Sequence, residues 1–351
     1  MKMKMKLKIG LIVLTSVLGL NNTLNAQTIY VAGGAYNNQG KCVAKVWKNG
    51  AAMTPPLTDG RYDANATWLA LSGNDVYATG SERNANTKLI AKVWKNGTLL
   101  YDLSDGRTNT FAMALVISPD NHVYVAGYEE IANGKMVAKV WKDGVVLYQL
   151  NDGTYNARAM GIGLLGDAIY ISGFIERANG RTLAKIWKEN EVWADLSNGT
   201  QNAYAYGLTV SGEDVFVAGS EYTASGHAVA KVWKNGTVVT SLTDGSNNAD
   251  AFFIAISGQD IYATGYEANR NGVNVAKVWK NGTILYELND GTRDAVARCV
   301  AVLGSDIYAV GSEATGADIA VAKVWKNGVI LAPTLGNSKY DTGANYLLVT
   351  K

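Results

Sequence analysis

One pentapeptide constrains this chain more than any other feature. Ala-Lys-Val-Trp-Lys, with Ile replacing Val once, occurs seven times and sets a tryptophan at Trp47, Trp94, Trp141, Trp187, Trp233, Trp279 and Trp325. Successive tryptophans lie 47, 47, 46, 46, 46 and 46 residues apart. A second string begins 18 residues before each tryptophan: IYVAGG from Ile29, VYATGS from Val76, VYVAGY from Val123 and IYISGF from Ile169, then VFVAGS, IYATGY and IYAVGS from Val215, Ile261 and Ile307. A period this constant means one unit repeated seven times, each unit dependent on its neighbours for a buried face.

Each unit reads as four short strands. In the second copy strand a is expected at about Ala66–Leu71, b at Val76–Thr79, c at Leu89–Trp94 and d at Thr98–Leu103. Ser72-Gly73-Asn74-Asp75 is a turn cluster between a and b. Asn96-Gly97, between two apolar runs, is the strongest short hairpin signal. Ser104-Asp105-Gly106 then breaks the chain before the next copy. Helical periodicity is absent after the first segment. The two ends complete one another: Thr28–Ala32 reads as a strand b with no strand a before it, and Gly343–Val349 as a strand a with no b after it.

An all-β chain of seven four-stranded units, closed by its own last strand, resembles the seven-bladed β-propellers. The resemblance covers residues 27–351, expected to form one domain. Its glycine, strand and tryptophan order is similar to that of secreted bacterial repeats with a tryptophan-glycine hairpin. The WD dipeptide, the kelch double glycine and the Asp-box are not matched, so no functional family comes with the resemblance.

Residues 1–26 read as an export signal. Lys2, Lys4, Lys6 and Lys8 precede the apolar run Ile9–Leu20, and Leu24 and Ala26 stand at −3 and −1 of a cleavage site. The run is shorter than the roughly 20 residues of a spanning helix, and no cysteine follows it for lipidation. The expected product is therefore secreted or periplasmic, without stable membrane insertion. Of 32 basic residues, 28 remain after residue 26, against 30 acidic ones. That balance excludes a basic surface for nucleic acid. With 48% hydrophobic residues and 18% charged, the chain is no disordered segment.

Strand a of a propeller lines the central channel. The a–b turns and Asn-Gly hairpins then share one face, and the b–c loops and d–a connections the other. The repeated tryptophan is expected to wedge between blades. Lys45, Lys92, Lys139, Lys185, Lys231, Lys277 and Lys323 lie two residues before it; Glu82, Glu129, Glu221, Glu267 and Glu313 end strand b, with Glu176 one place later. A tryptophan, lysine and glutamate per blade would suit a sugar site in each blade. Their position within strands, where packing demands uniformity, favours a structural role. Asp63, Asn109, Asn156, Asn202, Asn248, Asp294 and Asp341 recur three residues after the Asp-Gly or equivalent break. Such side chains cap backbone N–H groups; oxygen ligation of calcium is the alternative. No metal or other cofactor is expected.

The repeats disagree in one region. At the start of strand a stand Asn65, Phe111, Arg158, Tyr204, Asp250, Val296 and Gly343; two residues on stand Thr67, Met113, Met160, Tyr206, Phe252, Arg298 and Asn345. Period two puts both sets on one strand face, around the channel mouth. Arginine forks bind carboxylates and aromatic faces bind rings. The candidate ligand-binding residues are therefore Arg158, Tyr204, Tyr206, Asp250, Phe252, Arg298 and Asn65. Exposed at a mouth, Arg158, Tyr206 and Arg298 are expected to tolerate alanine within about 0.5 kcal/mol each. Catalytic constellations are scarce: His122 and His227 fall on opposite faces, and Asp63 and Asp250 are the carboxylate pair considered for acid–base work, on blades that are not neighbours. Cys42 and Cys299 belong to adjacent blades, on third and inner strands roughly 10 Å apart at about 4.8 Å per strand, which opposes a disulfide. The expectation is an exported, monomeric, non-enzymatic binding module for a protein or glycan. The alternatives are a polysaccharide lyase or hydrolase with a channel-mouth site, and a multivalent lectin with one site per blade.

Overall fold

The computed structural model describes residues 27–316, 319–331, 335 and 341–351. The export segment 1–26 lies outside them. Seven four-stranded antiparallel sheets, each ordered a–b–c–d from the inside outward, make a seven-bladed β-propeller. Closure occurs as the ends of the sequence require. Thr342–Thr350 is the inner strand of the first blade and pairs with Thr28–Tyr36, from Thr28 opposite Thr350 to Ala35 opposite Thr342. Cys42–Lys48 and the two-residue Ala51–Ala52 complete that blade.

Strand boundaries differ from expectation, mostly at strand b. In the second blade the strands are Ala64–Ser72, Asp75–Arg83, Leu89–Lys95 and Thr98–Asp102. Strand b runs four residues past its apolar string because Glu82 and Arg83 still pair with Ile90 and Leu89. Those residues are polar at the rim, where side chains meet water, so apolar alternation ends before the ladder does. The hairpin turn is as read: Asn96 and Gly97 hold φ of 52° and 84°, the left-handed pair that an Asn-Gly turn supplies. The Asn96 side chain accepts a bond from Val76 N at 2.9 Å, tying the hairpin to the a–b turn on the same face.

The seven tryptophans are the largest fully buried side chains, each at most 2% exposed. Trp233 Nε1 donates to Leu196 O at 2.8 Å and Trp325 Nε1 to Leu288 O at 3.0 Å, both in the preceding blade. The lysine two residues earlier meets the strand-b glutamate in five blades, for example Lys277 with Glu267 at 2.8 Å and Lys323 with Glu313 at 3.2 Å. In the fourth blade the displaced Glu176 instead accepts from Asn156 Nδ2 at 2.7 Å, and Lys185 turns to Asp195.

The ring of acids and amides is a set of blade staples. The seven side chains accept from the backbone N–H that opens strand c of the preceding blade: Cys42, Leu89, Met136, Thr182, Ala228, Asn274 and Ala320, at 2.7–3.0 Å. Their own carbonyls accept from the end of strand b in their own blade, as Asn248 O does from Ala268 N at 2.8 Å. One residue thus bridges two sheets. Asn248→Ala, which orphans Ala228 N–H, is expected to cost about 1–2 kcal/mol, readable as a shift in urea midpoint.

Candidate binding site at the channel mouth

The site begins with the strand-b glycine. A Cβ on Gly33, Gly80, Gly127, Gly173, Gly219, Gly265 or Gly311 would lie 1.8–2.0 Å from a carbonyl oxygen of the adjacent strand a. That oxygen belongs in each blade to the first variable residue, from Gly343 and Asn65 to Asp250 and Val296. Only glycine admits so close an approach, and the approach accompanies a β-bulge. Register slips between Ala66 and Trp68, Ala112 and Ala114, Ala159 and Gly161, Ala205 and Leu208, Ala251 and Phe253, and Ala297 and Cys299. In the first blade it slips around Asn345. The second variable residue is left unpaired every time, together with Gly207 in the fifth blade. A bulge re-aims its side chain, so simple alternation does not describe these pairs.

The seven bulge residues, Thr67, Met113, Met160, Tyr206, Phe252, Arg298 and Asn345, line one chamber of about 260 Å³. Of the first variable residues, Asn65 alone joins them there. Arg158, Tyr204 and Asp250 instead stand around the rim, each paired across to strand b. Arg158 pairs with Phe174, its guanidinium 6.0 Å from that ring and 5.0 Å from the Tyr128 ring one blade back. Tyr204 meets Phe174 edge-on at 4.9 Å and lies parallel to Tyr206 at 6.2 Å. Asp250 accepts from Ser220 Oγ at 2.5 Å and from Tyr266 OH at 2.8 Å, which occupies both carboxylate oxygens. Asn65 accepts from Asn345 Nδ2 at 3.1 Å.

Around the chamber wall, Tyr206 meets Phe252 at 5.5 Å and the Arg298 guanidinium sits 4.7 Å over the Phe252 ring. Arg298 is exposed in the chamber, yet protein crowds it, and that burial lowers its pKa. Neighbouring Tyr206, Asp250 and Tyr266 act in the opposite sense, and a guanidinium remains a cation. Among the described residues it has no ion pair or hydrogen bond. Burial first, then the Asp250 charge, pushes the Tyr206 hydroxyl well above the ordinary tyrosine range. Tyr206 is half-buried among these rings. Its replacement by alanine is therefore expected to exceed the 0.5 kcal/mol anticipated for an exposed residue, whereas Arg158 and Arg298 keep that expectation.

The chamber has a floor. Trp68 stacks on Tyr346 with centroids 4.1 Å apart, and Phe253 meets both edge-on at 5.3 Å. All three occupy the place after the bulge residue; the other four blades carry Ala114, Gly161, Gly207 and Cys299 there. A Cβ on Gly207 would stand 2.7 Å from Phe252 O and 2.8 Å from the Phe253 ring. Three large residues and four small ones at one level thus make a septum. Below it a second cavity of about 450 Å³ opens toward the opposite face, walled by aliphatic residues such as Leu71, Ile117, Leu164 and Val210.

Sequence reasoning missed two groups. Tyr128, Phe174 and Tyr266 follow the strand-b glycine, and their signal was the last letter of the repeated string, which alternates among Gly, Ser, Tyr and Phe. The septum's signal was the size sequence Trp, Ala, Gly, Gly, Phe, Cys, Tyr. The two carboxylates considered for acid–base work are kept apart: Asp63 caps Cys42 N at 3.0 Å, and Asp250 is held as described. His122 bonds Asp143 at 2.6 Å and His227 bonds Gly245 O at 3.1 Å; neither lines the chamber. Cys42 and Cys299 are free thiols. Among the described residues no cluster of three or more metal-ligating side chains occurs, and no helix is long and apolar enough to cross a membrane.

No family model matches the chain, and no curated protein matches it. Solved structures do. The WD40 β-propeller domain of Doa1 is 14% identical, over 80% of this chain and 95% of that one, with a TM-score of 0.40. A polysaccharide lyase, the PL25 ulvan lyase bound to GlcA(1-4)Rha3S, is 10% identical over 76% of this chain and 82% of its own, with a TM-score of 0.51. At such identity the second likeness speaks for the fold alone.

Proposed function

We propose that this chain is an exported binding module that takes one ligand at the mouth of its channel. One observation carries the reading. Seven equivalent positions, freed from the ladder by seven bulges, present seven side chains to a single closed-floored chamber, and one of them is an arginine with no ion pair among the described residues. A concave site with apolar walls and few polar groups is the usual form of a ligand pocket. Export rests on the leader read in residues 1–26. The partner class remains that of the sequence reading, a glycan or a protein segment, reached from the face of the b–c loops and d–a connections.

Two physical points favour binding over catalysis and one site over seven. The Asp250 carboxylate is engaged by two hydroxyl donors, and the Tyr206 proton is harder to remove than in free tyrosine, so Tyr206 is not poised as a base. The repeated tryptophans are at most 2% exposed and offer no ring face to a sugar. A screen of glycans and peptides on the mature protein is expected to find a ligand that binds once per chain. Arg298→Ala and Arg158→Ala should each keep the unfolding transition yet weaken that ligand roughly tenfold or more, the loss typical of a charged hydrogen bond. Seven equivalents per chain, or full affinity in both variants, would place recognition elsewhere.

A further inference from the structure

We infer that the chamber selects a ring bearing a single carboxylate, taken as a chain end or a free molecule; this rests on the binding reading above. Arg298 is the reason for the charge. Its guanidinium lies 4.7 Å from the centre of the Phe252 ring, a contact that supplies no acceptor to the N–H fork. No described acceptor meets that fork. A carboxylate fits it with two parallel bonds. A phosphate dianion would need more positive charge than the bulge ring supplies, since Arg298 is its sole cation and Asp250 lies close by.

The rest of the wall specifies a ring. Tyr206 and Phe252 present aromatic surface and Met113 and Met160 present thioethers, which adapt to irregular apolar shapes. Asn345 Nδ2 is already spent on Asn65 Oδ1 and Ala66 O. A ligand with many charged or donor-hungry groups would therefore go unsatisfied. The chamber, with about 260 Å³ open to the centres of water-sized molecules, has room for one substituted six-membered ring. Because Trp68, Phe253 and Tyr346 close the floor, a polymer cannot thread through. Only a terminal unit reaches Arg298.

The test titrates the mature protein calorimetrically with benzoate, cyclohexanecarboxylate and glucuronate, each beside its methyl ester, and with phenyl phosphate. At least one acid is expected to bind once per chain, roughly ten- to hundredfold tighter than its ester, and tighter than phenyl phosphate. Benzoate against glucuronate distinguishes a free aromatic acid from an acidic sugar end. Arg298→Ala should abolish the preference for acid over ester. Arg298→Lys, which keeps the charge but loses the fork, should retain only part of it; thermal melts check that both variants are folded. Esters binding as well as acids, with binding lost when Tyr206 is changed to alanine, would overturn the carboxylate inference and leave the binding site standing. No binding by any probe at millimolar concentration, or acid binding unchanged in Arg298→Ala, overturns the inference too. In that case the glycan and peptide screen decides separately whether the mouth binds anything.

Discussion

A chain ended after Thr342 is expected to lose most of its folded stability. The deletion Gly343–Lys351 removes all but the first residue of the inner strand of the first blade, whose ladder runs from Thr28 to Ala35. It also removes Tyr346 and Leu347, 9% and 1% exposed, from the core shared with the second, sixth and seventh blades. At roughly 1.5–3 kcal/mol per buried large side chain, these two alone contribute on the order of 3–6 kcal/mol. A domain's total is commonly about 5–15 kcal/mol. Val349 adds less, since it is only partly buried. Trp68 also loses the ring on which it stacks. Urea and thermal melts of the truncated chain should show a large fall in midpoint or a loss of cooperativity. An unchanged midpoint would mean that the ring does not depend on its last strand.

Gly33→Ala is expected to be nearly as damaging, and Gly343→Ala, its neighbour across the same ladder, to be silent. A Cβ on Gly33 would stand 1.9 Å from Gly343 O and 3.2 Å from Ala344 Cα, both backbone atoms that cannot swing aside. Overpacking commonly costs 1–3 kcal/mol where side chains can yield; here the bulge itself must move, so about 3 kcal/mol or more is expected. A Cβ on Gly343 meets nothing within 4 Å, and its cost should stay within about 0.5 kcal/mol. Neither glycine has a left-handed φ, so the contrast isolates space from torsion. Equal midpoints for the two variants would show that the bulge does not need its glycine.

The blade count, the strand order and the closure were legible because each is written seven times or at both ends. Trp47 through Trp325 fix the period, and the orphan strands at Thr28 and Gly343 fix the joint. The candidate site was legible only as disagreement among copies. Arg298, Phe252 and Tyr206 were found that way and do share one chamber; Arg158, Tyr204 and Asp250 were found with them but belong to its rim. What separates the two sets is the bulge. It depends on how closely Gly219 lets Tyr204 O approach, a distance between backbones that no hydropathy pattern records. The septum escaped for a related reason: Trp68 and Tyr346 lie far apart in sequence, and their contact exists only once the ring is shut.

The bulge also bears on how such a mouth can change over generations. Glycine and carbonyl fix the backbone of each blade, while the residue left out of the ladder lines the chamber; only Thr67 and Asn345 among the seven bond neighbouring backbone carbonyls through their side chains. Substitutions at these places are therefore expected to change the lining of the chamber with little penalty to the scaffold, except where side chains bond or lean on neighbours, as Asn345 does on Ala66 O and Tyr206 on Phe252. Proteins near their stability threshold accept few mutations elsewhere. Here adaptive change can be channelled into one ring of positions, and a randomised library built there should yield folded members far more often than one built a single residue to either side.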